Sequence, residues 1–122
     1  MNALLWVGQG LLAAVFLLSA AVKGTQPKKK IISLGQTGVV FLPLWLIRVT
    51  AAAELAGVFG VILPWLTGIA RVLTPVAAVG LGLTMVLAAV SHAKLREPRN
   101  VAANLTILLV CVVVAAGRFA DL

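Results

Sequence analysis

The chain has 122 residues, 62% of them hydrophobic and 11% charged, with a formal net charge of +7. Its mean hydropathy of +1.15 lies well above that of a soluble domain, in which apolar residues make up about half of the chain, so a water-soluble globular domain is set aside. The basic residues are confined to short segments between apolar runs, a pattern of topogenic charge and anionic-lipid contact rather than of nucleic-acid binding.

The first apolar run predicts a helix over 4–22, closed by Lys23-Gly24. Ser19-Ala20-Ala21 loosely matches a signal-peptidase site, but no Lys or Arg precedes the run, and it exceeds the roughly 7–15 residues of a signal h-region. It is therefore read as a retained first helix. Pro27 followed by Lys28-Lys29-Lys30 is expected to end any helix and to stay out of lipid. Ile31 to Pro43 is apolar but short and broken by Gly35 and Gly38, which suits an interfacial or half-inserted piece within a basic link over 24–43. A second helix is predicted over 44–63, ended by Pro64, and a third over 75–92, with Pro75 in its first turn. The polar link SHAKLREPRN leads to a fourth helix over 101–117. The expectation is an all-α, integral membrane four-helix bundle, with 1–122 as a single transmembrane domain.

The connections after the first and third helices hold Lys23, Lys28, Lys29, Lys30, Lys94, Arg96 and Arg99, whereas the opposite end holds only Arg71 and Arg118. The positive-inside rule then puts the basic loops in the cytoplasm against anionic headgroups and both termini outside, with Trp6 and Trp65 at the outer interface and Trp45 at the inner one. Small residues at spacing four, such as Ala53/Gly57, Ala56/Gly60 and Ala78/Gly82, favour close helix packing within the chain, with a homo-oligomer as the alternative use of such a face.

Within these helices the polar residues carry the functional signal. Glu54 lies near the middle of the second helix, where a charge costs about 2.5–3.5 kcal/mol even on lenient insertion scales, so it must face other helices and find a partner or a proton. Arg48 is six residues away, about 120° around the helix and about 9 Å along it, which does not make an easy bridge. Thr50 shares the face of Glu54 and can donate a hydrogen bond to it. The charge partner is expected from another helix, Lys23 first and His92 second; failing both, burial leaves the acid neutral. Ser19 shares the face of Lys23, and Asn104 lies about a turn into the fourth helix. The candidate ligand-binding set is thus Lys23, Arg48, Glu54, His92 and Asn104. Each also has a plain structural role open to it: snorkelling for Lys23 and Arg48, capping for His92, interhelical bonding for Asn104.

No catalytic constellation is legible. The one histidine and one cysteine lie on different helices and give no metal site of usual spacing, Cys111 reads as a small core residue, and three acids so placed assemble no Ser-His-Asp set.

The chain resembles the DoxX-like family of small four-helix bacterial membrane proteins. The resemblance rests on the first helix ending in small residues and Lys23-Gly24, the run Arg48-x5-Glu54-Leu55-Ala56-Gly57-x2-Gly60-x3-Pro64, the third helix ending at Ser91-His92, the basic link, and the asparagine-bearing fourth helix. It implies a multi-pass bacterial cell-membrane protein associated with quinone-linked oxidoreductase chemistry. On that basis the chain is expected to be an accessory subunit that contacts a quinone or lipid around Glu54. It lacks a thiol pair and an evident metal or flavin site, so any electron transfer would use the cofactors of a membrane or peripheral oxidoreductase partner. A structural or assembly subunit and a small proton-coupled transporter are the alternatives.

Overall fold

A computed structural model describes all 122 residues. Its elements are α1 (Asn2–Thr25), α2 (Lys28–Ser33), a 3-10 turn (Thr37–Phe41), α3 (Leu44–Thr67), α4 (Leu73–Lys94) and α5 (Pro98–Ala120). Four of them, α1, α3, α4 and α5, are long and apolar enough to cross a membrane. They pack in the ring order α1, α3, α4, α5, with α5 closing back on α1, which makes an up-down-up-down four-helix bundle with both termini at one end. All the basic residues except Arg71 and Arg118 gather at the other, basic end.

Phe16, Val61, Leu81, Cys111 and Val114 belong to one interior cluster, while Phe59, Leu83, Leu109 and Val112 point outward, as a lipid-facing surface requires. Lipid is as apolar as the core, so close packing rather than water exclusion must hold the helices together. The α3–α4 contact shows how: a Cβ on Gly57 would lie 2.6 Å from Leu81 Cδ2, and one on Gly60 2.7 Å from Ala77 Cβ. Glycine is required there because the neighbouring helix occupies the space.

The second membrane helix does not stop at Pro64. It runs on to Thr67 and ends at Gly68, whose φ of +76° gives the left-handed C-terminal turn. Pro64 has no N–H to offer the carbonyl of Gly60, and an open carbonyl inside a membrane bundle is costly. The hydroxyl of Thr74, at the start of α4, donates to that carbonyl at 3.0 Å. Thr74 itself is fully buried. A side chain from the next helix therefore completes the bond that proline removes, and the helix continues.

The link over 24–43 also differs from expectation. α1 ends at Thr25, before Pro27, as expected, but Lys28–Lys30 then form the first turn of α2, with Pro27 in extended geometry preceding that helix. Ile31 on this short helix is fully buried, and with Val39 and Ile47 it forms a small cluster at the basic end, while Lys29 and Lys30 stay exposed. Lys28 Nζ donates to the carbonyls of Leu42 at 2.6 Å and Val40 at 3.1 Å, tying the two ends of this strap together. The fourth membrane helix starts at Pro98, three residues before the expected Val101, because proline at the first position of a helix forfeits no bond.

Thr74→Val keeps the shape and removes the donor, leaving Gly60 O unpaired, and is expected to lower stability in detergent by about 1–3 kcal/mol. Thr106→Val, where the hydroxyl is exposed and bonds only its own helix, is expected to be near neutral in the same denaturation measurement.

Candidate functional site

Glu54 is 1% exposed and pairs with Lys23 of α1, Nζ to Oε1 at 2.8 Å. Ser19, one turn earlier on α1, donates to Oε2 at 2.9 Å, so both carboxylate oxygens are engaged by the same helix face. A buried carboxylate out of reach of water needs such donors, and α1 supplies both. The cation comes from the first-choice partner. Arg48 does not reach Glu54: its Nη1 donates to the backbone carbonyl of Lys23 at 2.6 Å, taking up one of the open carbonyls in the last turn of α1 and holding the segment that carries Lys23. Thr50, on the same face as Glu54, bonds Leu46 O of its own helix instead, the usual back-bond of a helical threonine.

His92, the second-choice partner, is committed elsewhere. Its Nδ1 lies 2.8 Å from Glu97 Oε1, and Thr37 Oγ1 donates to the same oxygen at 2.6 Å. A carboxylate can only accept, so Nδ1 carries the proton in this contact. The Thr37 and His92 hydrogen bonds, in that order of effect, hold the Glu97 carboxyl below its ordinary value. This group latches the strap to the end of α4, and Gln36 adds a contact to Ser19, its Nε2 donating to the Ser19 backbone carbonyl at 3.5 Å. Sequence reasoning missed Glu97, which it treated as part of a loop; the spacing of five from His92 was the available signal.

Between the strap and the helices lies a cavity of about 820 Å³. Lys23, His92 and Asn104 all line it, together with Ser19 and Gln36, and apolar side chains such as Val15, Leu18, Leu87 and Ile107 form much of the remaining wall. Asn104 is 9% exposed and its Nδ2 has no hydrogen-bond partner. Glu54 and Arg48 are not part of the wall; they sit behind it and support Lys23. Of the five candidates, three therefore share one cavity and two buttress it.

A second polar cluster closes the opposite end. Arg118, read from the sequence as an end charge, is 1% exposed. Its Nε donates to Gln9 Oε1 at 2.8 Å and its Nη1 to Asn2 Oδ1 at 2.9 Å and Asp121 Oδ2 at 3.4 Å. Its guanidinium lies 4.5 Å from the ring centre of Trp65 and 5.5 Å from that of Trp6. Gln9 in turn donates to Val61 O at 2.7 Å. The fully buried Gln9, a polar residue in the middle of an apolar run, was the signal for this cluster. Trp65 is thus a buried partner of Arg118 as well as an aromatic near a helix end.

The DoxX-like family model matches residues 7–114. No curated protein and no solved structure gives a significant match.

Two predictions follow from this geometry. Glu54→Gln strands a buried ammonium and is expected to cost about 3–5 kcal/mol of stability, whereas replacing both partners, Lys23→Met with Glu54→Leu, recovers most of it; a double-mutant cycle in mixed micelles measures both. Because the Glu97 carboxyl is held low, its hold on the strap is complete above the ordinary carboxylate range and is lost as pH falls through the lowered value. Amide exchange over 36–41, corrected for intrinsic rate, is expected to rise at acid pH in the wild type and to be raised at all pH values in Glu97→Gln.

Proposed function

The chain belongs to the DoxX-like family, and from that premise we propose that it is a membrane accessory subunit whose bundle holds a lipophilic ligand, such as a quinone or lipid, in the cavity beside the Lys23–Glu54 pair. The observation that carries this reading is the cavity itself: about 820 Å³, within the usual range of small-molecule sites, largely apolar, with a few polar groups converging at the basic end. Lys23 and Asn104 meet the head of the ligand, Glu54 orients Lys23, and His92, linked to Glu97, handles a proton where the ligand's chemistry requires one. Arg48 positions Lys23 through its backbone. The basic end meets anionic headgroups on the cytoplasmic side of a bacterial cell membrane, leaving both termini outside. A partner oxidoreductase supplies the redox cofactors, and the ligand links the two.

One observation favours a second reading. Both oxygens of Glu54 are already satisfied by α1, which is what a pair that only fixes helix register would show. The two readings separate in one experiment: purification in mild detergent followed by extraction and mass spectrometry of what remains bound. A retained quinone or lipid, lost in Ala103→Phe with the melting temperature unchanged, supports the ligand site; Ala103 lines the cavity but lies outside the close-packed core. Protein that retains nothing lipophilic, and is indifferent to Ala103→Phe, leaves the register role.

A further inference from the structure

The cavity wall contains no carboxylate. Glu54 is turned to Lys23 and Ser19, Glu97 to His92 and Thr37, and Asp121 lies at the far end of the bundle with Arg118. The wall does contain Lys23, Lys94 and the carboxamides of Gln36, Asn100 and Asn104. Two features show that its donors are not used up. Lys23 Nζ has three N–H groups and spends one on Glu54. Asn104 Nδ2 is buried with no acceptor in the protein, a condition that costs about 1–3 kcal/mol until one arrives. Lys94 adds an exposed positive charge on the wall, resting 5.8 Å from the Phe41 ring and paired with no acid.

The geometry points to an amphiphile with an acidic head, carboxylate or phosphate, as the occupant of the cavity. An acidic head is an acceptor with several lone pairs, so it takes hydrogen from Lys23 and Asn104 together; rotation of the Asn104 carboxamide brings Nδ2 to it. It also balances the charge of Lys94. Its alkyl chain or chains run along Val15, Leu18, Leu87 and Ile107. This rests on the cavity being a ligand site and narrows the ligand from any lipophilic molecule to an acidic one.

The test uses the full chain purified in a neutral maltoside detergent and stripped of lipid. Binding is measured by thermal stabilisation with oleate against monoolein, dioleoyl phosphatidylglycerol against diolein, and decylubiquinone. Either acidic probe is expected to bind at least about tenfold more tightly than its neutral counterpart and than the quinone. Preference for oleate assigns the site to free lipid acids, and preference for the phosphatidylglycerol to a membrane phospholipid. Asn104→Asp, which is nearly the same size and puts a negative charge on the wall, is expected to abolish the acidic preference. Asn104→Leu serves if that variant does not fold. Lys29→Gln with Lys30→Gln, at exposed positions, is expected to change nothing.

Equal or tighter binding of monoolein, diolein or decylubiquinone overturns the acidic head and leaves the ligand site standing. No stabilisation by any probe removes the ligand site as well. An acidic preference that survives Asn104→Asp but disappears with the Lys29 and Lys30 changes is adsorption to surface charge, and likewise overturns the proposal.

Discussion

A carboxylate in the middle of an apolar helix has no water to turn to, and that constraint sets the arrangement of the rest. Glu54 is satisfied only if α1 presents Ser19 and Lys23 at the right depth and rotation, so the pair fixes α3 against α1 in both. Arg48 then closes the last turn of α1 from below, and the strap after α1 folds back over the same end. A buried ion pair of this kind adds little net stability relative to well-packed hydrocarbon. Its physical effect is selective: a helix slipped by one residue leaves a charge unpaired in lipid.

The two ends of the bundle use buried polar groups differently. At the end that gathers the termini, the buried Arg118 guanidinium donates to Gln9, Asn2 and Asp121 through Nε and Nη1 and lies near two indole rings, while its Nη2 has no acceptor. At the basic end the strap and the helices leave a cavity, and the carboxamide nitrogen of Asn104 in its wall stays uncommitted. Between the two ends runs a dry core of small and branched side chains.

Much of this was legible in the chain because membrane helices are announced by long apolar runs, and because a lone acid in such a run must be answered by a nearby base. Lys23, which ends the first predicted helix with Ser19 one turn back on the same face, was the first-named base on another helix. What escaped the sequence depends on partners from other helices. Pro64 reads as a stop because the helix itself cannot replace the lost bond, and nothing local says that Thr74 will. Arg118 stands where an end charge would snorkel, and only its contact with Gln9, 109 residues earlier, reveals it as interior. The lysines after Pro27 were read for charge alone, although Ile31 beside them supplies the apolar face of a short helix. His92 was matched to the more conspicuous acid, Glu54, when a closer one in sequence, Glu97, held it.

The borrowed hydroxyl at Gly60 bears on how the chain enters the bilayer. If α3 left the insertion machinery alone, it would carry into hydrocarbon a carbonyl with no donor and an acid with no counter-charge. The first need is met only when the start of α4 arrives, and the second only when α1 is already alongside. The smallest part of the chain with neither need outstanding is therefore its first three membrane crossings together, so α3 has reason to wait at the lateral gate until the crossing behind it has been synthesised.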